Sequence, residues 1–293
     1  MLKDKRADYL TALILGGPFL LIYGALFLWP TIQMVIISFT DAPLIGDGEW
    51  VGFKNYIKVL KGRLFSKAVW NTGYFVVLTV IPSTLISLAV AMAVSRLKGW
   101  KQALVMAAFF LPYILPVSVV FLTWNWMIDM QYGMIQYVVR LFNDGEAIAL
   151  TRNLPFFMPT VAVVTIWWTL GFNVLLFIAG LGNISPEIYE AAALDNASRW
   201  RQFTRITWPL IWPITALVLT LQLIAQLKIF DQVFLFSLGG RQDATMVLVQ
   251  YIYKLAFQQN KGGMAATVAV LLFAMIIILS VLQYQLLRSR GKK

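Results

Sequence analysis

The chain of 293 residues has no cysteine and no histidine, and only 13 acidic residues stand against 24 basic ones. The missing cysteines exclude disulfides and thiol chemistry. The missing histidines remove the commonest metal ligand and the usual general base near neutral pH. No G-x-x-x-x-G-K-[ST] phosphate loop is present, and the only Gly-Lys pair is Gly291-Lys292 near the C-terminus, so the chain is not expected to hydrolyse ATP. Charged residues make up 13% of the chain, where a soluble domain carries about 25%. There is no internal repeat, no low-complexity tract and no basic stripe interleaved with aromatics, which argues against nucleic acid. The net charge of +11 points instead to anionic lipid headgroups.

What is present is apolar surface. Hydrophobic residues are 60% of the chain, more than a water-soluble core can hide. A bilayer-spanning helix needs roughly 20 mostly apolar residues. Six segments qualify: 10–39, 70–95, 103–128, 156–181, 209–236 and 264–287. Pro18 and Pro30 fall in the first, Pro82 in the second, and Pro112 and Pro116 in the third. Membrane helices tolerate such prolines when neighbours re-satisfy the freed backbone groups, which favours a packed bundle. The opening MLKDKRADYL is not read as a signal peptide, because the apolar run is too long and lacks a small-residue cleavage pattern. The expectation is an all-α, polytopic membrane protein with six transmembrane helices in a single domain, 1–293.

With the N-terminus inside, the inner segments hold 13 of the 24 basic residues, including Arg96, Lys98, Lys101, Arg199, Arg201 and Arg205. The outer segments hold 11, so the basic residues favour this orientation by a small margin. Both termini and the 182–208 insert are then cytoplasmic.

That insert has strong local signals. Ser185 is a good N-cap, Pro186 fits the first helical position, and Glu187 suits the positive end of the helix dipole. A helix is expected from Pro186 to about Asp195. Asn196 then suits a turn through left-handed space. Ser198 can cap a second short helix, Arg199 to Thr207, and Pro209 opens the fifth membrane helix. Ala191, Ala192 and Ala193 give the first helix a flat face that another surface can approach closely. On residues alone, two roles are open. One is an interfacial helix whose arginines touch lipid phosphates, and the other is a docking knob for a partner protein.

The stretch Glu190-Ala191-Ala192, three residues, Asn196, nine residues, then Ile206-Thr207-Trp208-Pro209 resembles the EAA loop of the permease subunits of binding-protein-dependent ABC importers. Asn196 stands where that pattern has Gly, and Trp208 where it has Leu. Further stretches are similar to the carbohydrate-uptake branch, of the maltose and glycerol-phosphate permease kind: WVGFKNYIKVL at 50–60, FFLPYILPVSVVFLTWNWM at 109–127, FDQVFLFSLGG at 230–240, YIYKLAF at 251–257 and GGMAATVAVLLF at 262–273. Arg241 stands where a proline commonly follows the two glycines. The similarity covers most of residues 10–288.

The resemblance implies the type I ABC importer permease fold in a bacterial cytoplasmic (inner) membrane. It implies a second, homologous permease, two ATP-binding subunits and an extracytoplasmic solute-binding protein as partners. ATP and Mg would be bound by the ATPase subunits, with no cofactor in this chain. It also implies that the EAA helix seats on the ATPase. Glu190 would meet that surface, Ala191 and Ala192 would permit close packing, and Asp195 and Asn196 would lead into the turn. Sugars are held by hydrogen bonds to hydroxyls and by stacking on aromatic faces. Helix four offers Thr165, Trp168, Thr169 and Phe172 on one face, with Asn173 at its edge, and helix five offers Gln222 and Gln226 one turn apart. In the resembled family these two helices line the translocation path. The opposing structural role is helix–helix glue. Lys228 and Asp231 have the spacing of an i,i+3 ion pair.

Two other functions compete. A secondary transporter would need a coupling-ion site built from buried acidic or histidine side chains, which the six segments scarcely offer. A polytopic membrane enzyme would need a catalytic constellation, and none is evident.

Overall fold

In the computed structural model, residues 5–237 and 243–290 are described; Arg241, the end of the FDQVFLFSLGG stretch and the Gly291-Lys292 pair lie outside them. The described residues are mostly helical, and no strand forms among them. In chain order the α-helices are α1 (Lys5–Tyr23), α2 (Trp29–Ile37), α3 (Lys54–Leu60), α4 (Arg63–Val94), α5 (Trp100–Ile114), α6 (Val117–Met127), α7 (Met134–Phe142), α8 (Leu154–Gly182), α9 (Pro186–Leu194), α10 (Arg199–Gln202), α11 (Trp208–Leu227), α12 (Asp231–Phe236), α13 (Leu248–Tyr253) and α14 (Gly262–Arg290). Three π-helical turns, Gly24–Leu28, Phe203–Thr207 and Lys254–Gln258, are inserted between them.

Among the described residues five continuous stretches are long and apolar enough to cross a bilayer: Leu13–Ile37, Arg63–Val94, Leu154–Gly182, Arg199–Leu227 and Gly262–Leu287. The third segment read from the sequence, 103–128, is not one helix. It is the pair α5 and α6, bent by 96°. Pro116 has no N–H to donate and forces Leu115 into an extended conformation, ψ 139°. The carbonyl this frees is satisfied from another helix, because Trp168 Nε1 donates to Leu115 O at 3.2 Å.

The fifth segment also needs correction. Pro209 does not begin a helix. The expected short helix from Arg199 and the membrane helix are one element, Arg199–Leu227, joined through the π turn. In that turn Trp208 N–H reaches five residues back to Phe203 O, which accommodates Pro209 immediately after it. The first span uses the same device: Trp29 N–H reaches Gly24 O, and Pro30 follows. At its far end the fifth helix stops at Leu227 rather than 236. Lys228 caps it and Asp231 opens α12, so the two do not share one helix and the i,i+3 register fails.

The chain forms two compact units. Unit 1 comprises residues 1–62 and 251–273. No residue of its long N-terminal span, Leu13–Ile37, is buried, so the solvent for its exposed apolar surface must be lipid or another chain. Its compact part is tied by Asn55, whose amide donates to Ser38 O and Thr40 O at 3.1 and 2.7 Å, and by Thr267 Oγ1, which donates to Ser38 O at 3.0 Å.

Unit 2 comprises residues 63–250 and 274–293. Here α4, α8 and α11 pack on one another, α5 packs on α8, and α12 packs on α6. One apolar cluster gathers Phe75, Phe121, Phe157, Val161 and Phe236. A second gathers Leu88, Ala91, Val174, Phe177, Ile211 and Val218. Gly171 sets the α5–α8 spacing, since a Cβ there would overlap the carbonyl of Phe109.

Candidate functional site: an exposed helical insert and a buried polar cluster

The insert between α8 and α11 is built by short-range rules. Ser185 has the extended N-cap backbone but makes no side-chain cap bond. The helix α9 runs nine residues and ends as Asp195 N–H donates to Ala191 O. Asn196 then takes φ 53°, a left-handed conformation that Asn tolerates better than most residues. Ser198 Oγ accepts from Arg201 N–H at 3.3 Å and caps α10.

Glu190, Ala191, Asp195 and Asn196 are exposed and Ala192 is half-buried. Leu194, at the tip, is 86% exposed. The outward face of α9 is therefore flat around its alanines and uncovered by the described residues. Its inward face is fastened by a hydrogen bond of 2.9 Å between Tyr189 Oη and Thr207 Oγ1. Tyr189 was not singled out from the sequence, because its partner is 18 residues away across a turn.

The second constellation lies inside unit 2. Asn173 Nδ2 donates to Ser83 Oγ at 3.0 Å, and Gln222 Nε2 donates to the same oxygen at 3.3 Å. Gln226 Nε2 donates to Gln222 Oε1 at 3.1 Å. All four side chains are buried. Ser83 Oγ accepts twice, which uses both lone pairs and leaves its hydrogen to donate. The cluster thus joins α4, α8 and α11, with no acid or base in it. Its groups are hydroxyl and amide donors and acceptors.

The other candidates on α8 are separate from it. Thr165 is buried with its hydroxyl on Val161 O at 2.7 Å, and Thr169 donates to Thr165 O at 2.8 Å. Both satisfy themselves on their own helix. Trp168 and Phe172 are half-buried and meet Tyr113 of α5, with ring centroids 6.4 and 5.1 Å apart, the Phe172 pair being stacked. The structure thus brings Asn173, Gln222 and Gln226 together and sets Trp168 and Phe172 in an aromatic group beside α5. Sequence reasoning missed Ser83 and Tyr113. Nothing local marks either residue, since each gains its place from packing against a helix distant in sequence.

The family of binding-protein-dependent transport system inner membrane components matches residues 83–292. This chain belongs to that family. The permease is 33% identical to the inner membrane ABC transporter permease protein YcjO of Escherichia coli (strain K12), over all of this chain and 99% of that protein. It is 28% identical to the arabinooligosaccharides transport system permease protein AraP of Halalkalibacterium halodurans, over 93% of this chain and 86% of AraP. It is also 28% identical to the trehalose/maltose transport system permease protein MalF of Thermococcus litoralis, over 98% and 96%. The permease has the fold of a chain in a bacterial ABC transporter that imports the acidic polysaccharide alginate, with a TM-score of 0.85, 21% identity, and 97% and 96% of the two chains covered. A second structure of an alginate transporter, in complex with an alginate pentasaccharide-bound periplasmic protein, gives 0.84 at 20% identity. Family and apolar helices together make this permease a multi-pass inner-membrane protein.

Proposed function

We propose that this permease forms half of the translocation path of an ATP-driven importer for a sugar or sugar derivative, and that α9 transmits the motion of an ATPase subunit. The observation that carries the proposal is α9 itself. Its outward face is exposed, alanine-rich and closed by the Asn196 turn, in a chain that belongs to this transport family. The sugar assignment is supported by the relatives named above for arabinooligosaccharides and for trehalose and maltose.

In this mechanism Glu190 contacts the ATPase, Ala191 and Ala192 allow close packing, and Asp195 and Asn196 fix the end of the helix. ATP and Mg belong to the partner chains, and this chain holds no cofactor. A second permease completes the path, and an extracytoplasmic binding protein delivers the solute. Both termini and α9 face the cytoplasm. The Ser83, Asn173, Gln222 and Gln226 cluster and the Tyr113, Trp168 and Phe172 group supply hydroxyl-binding and stacking surfaces on the path. Thr165 and Thr169 stand on the same face of α8 as Trp168 and Phe172. The path would open alternately to each side as the ATPase subunits close and reopen.

The test is Glu190→Lys. Uptake of labelled solute is expected to fall at least tenfold, with unchanged insertion and abundance in the membrane. Wild-type uptake by this variant would refute the coupling role of α9.

A further inference from the structure

At the end of unit 2 that carries α9, two cavities share a wall. The first is an apolar groove of about 740 Å³ along α4 and the foot of the fifth helix, lined among others by Leu85, Leu88, Met92, Phe203 and Trp208. The second is a cleft of about 580 Å³ with a mixed lining, in which Ser95, Gln102, Tyr189, Gln202 and Thr207 stand among apolar residues such as Ile178, Leu181 and Ile184. Arg96 and Arg199 line both. Among the described residues no carboxylate lines either cavity. Both arginine side chains are exposed, and Trp200, Phe203, Trp208 and Trp212 form a chain of ring contacts 5.4–6.2 Å apart beside them.

This arrangement is amphipathic in one direction. Going from the apolar groove past the arginine pair to the cleft, hydrogen-bonding groups join the apolar ones in the lining. An acyl chain, a phosphate and a polar headgroup present the same order. Arg96 stands two residues beyond α4 and Arg199 begins the Arg199–Leu227 helix, the level at which arginine and tryptophan meet the headgroup layer. Arginine suits phosphate because its planar fork donates two parallel hydrogen bonds.

We propose that this paired groove and cleft is a binding site for one anionic phospholipid, its phosphate held by Arg96 and Arg199 and an acyl chain laid along Leu85, Leu88 and Met92. The headgroup occupies the cleft beside the Tyr189–Thr207 hydrogen bond that fastens α9. Binding does not depend on the coupling role of α9, so the lipid test and the uptake test fail independently.

The experiment counts lipid retained by the full chain, extracted in mild detergent with its associated subunits. Native mass spectrometry is run after titration with phosphatidylglycerol or with phosphatidylcholine of the same acyl chains. The expected result is one tightly retained phosphatidylglycerol, at least tenfold preferred over phosphatidylcholine and not displaced by inorganic phosphate. Arg96→Gln with Arg199→Gln removes that preference. Lys98→Gln with Lys101→Gln, which deletes the same charge outside both cavities, keeps it. Ala89→Trp, which leaves every charge in place and obstructs the groove where Ala89 lines it, also loses the lipid. Equal losses in the two charge pairs would mean a diffuse surface attraction and overturn the proposal. So would displacement by phosphate alone, or retention of the lipid by Ala89→Trp. Occupancy of the groove by a co-purified polypeptide in place of lipid would overturn it as well.

Discussion

Asn196 turns the backbone at φ 53° where the family pattern has glycine. A left-handed conformation costs most L-residues about 1–2 kcal/mol, and glycine almost nothing. Asn196→Gly is therefore expected to leave thermal stability and uptake close to wild type. Asn196→Val should lower stability by about 1–2 kcal/mol, since a β-branched side chain fits that region worst. A thermal unfolding series on the purified chain distinguishes the two. Residues of this kind were readable in advance because their reasons are local: the left-handed turn at Asn196 and the cap at Ser198 each depend on neighbours within a few positions. Ser83 was not readable. Its two partners, Asn173 and Gln222, stand 90 and 139 residues away, and a serine after Pro82 carries no mark of that pairing. Gln136 is a similar case. It is buried on α7 with its amide on Ile128 O and Ile148 O, although its own helix looks like a surface element.

Among elements, α5 and α8 approach closely enough that Gly171 has no room for a side chain. Gly171→Ala should push a Cβ into the Phe109 carbonyl, which is backbone and yields only by moving α5. Overpacking of this type costs typically 1–3 kcal/mol, so the apparent Tm of the purified chain should fall by several degrees. Gly182→Ala is the control, because nothing lies within 4 Å of a Cβ at that position, and it should leave Tm within a degree or two. The same scale explains where hydropathy misled. A run of apolar residues shows that a segment can enter lipid, but not whether it does so straight. Pro112 and Pro116 were visible in 103–128, yet the 96° bend depends on Trp168 accepting the role of donor to Leu115 O. Pro209 misled in the opposite sense. Proline commonly opens a helix, and here the widened turn before it lets the helix pass through.

For the whole molecule, the N-terminal span Leu13–Ile37 has no buried residue, and the outward face of α9 is exposed among the described residues. A chain with two such surfaces is expected to be isolated with company. Purification of a tagged copy from its native membrane should yield a second permease of this family and an ATP-binding subunit in comparable amounts. A stable chain recovered alone would count against the importer reading.

One hydrogen bond has a mechanical consequence. Tyr189 attaches α9 to Thr207, at the foot of an unbroken helix whose far end carries Gln222 and Gln226. From Thr207 to Gln226 the rise is about 28 Å at 1.5 Å per residue. The π turn Phe203–Thr207 is a natural fulcrum, because its hydrogen bonding is already loosened. The helix then acts as a lever with its long arm in the polar cluster. A tilt of about 5° at the fulcrum would carry Gln226 roughly 2 Å, enough to break a hydrogen bond of ordinary length. On the proposed coupling role of α9, a small angular input there would be amplified into a linear displacement large enough to undo the Ser83 cluster.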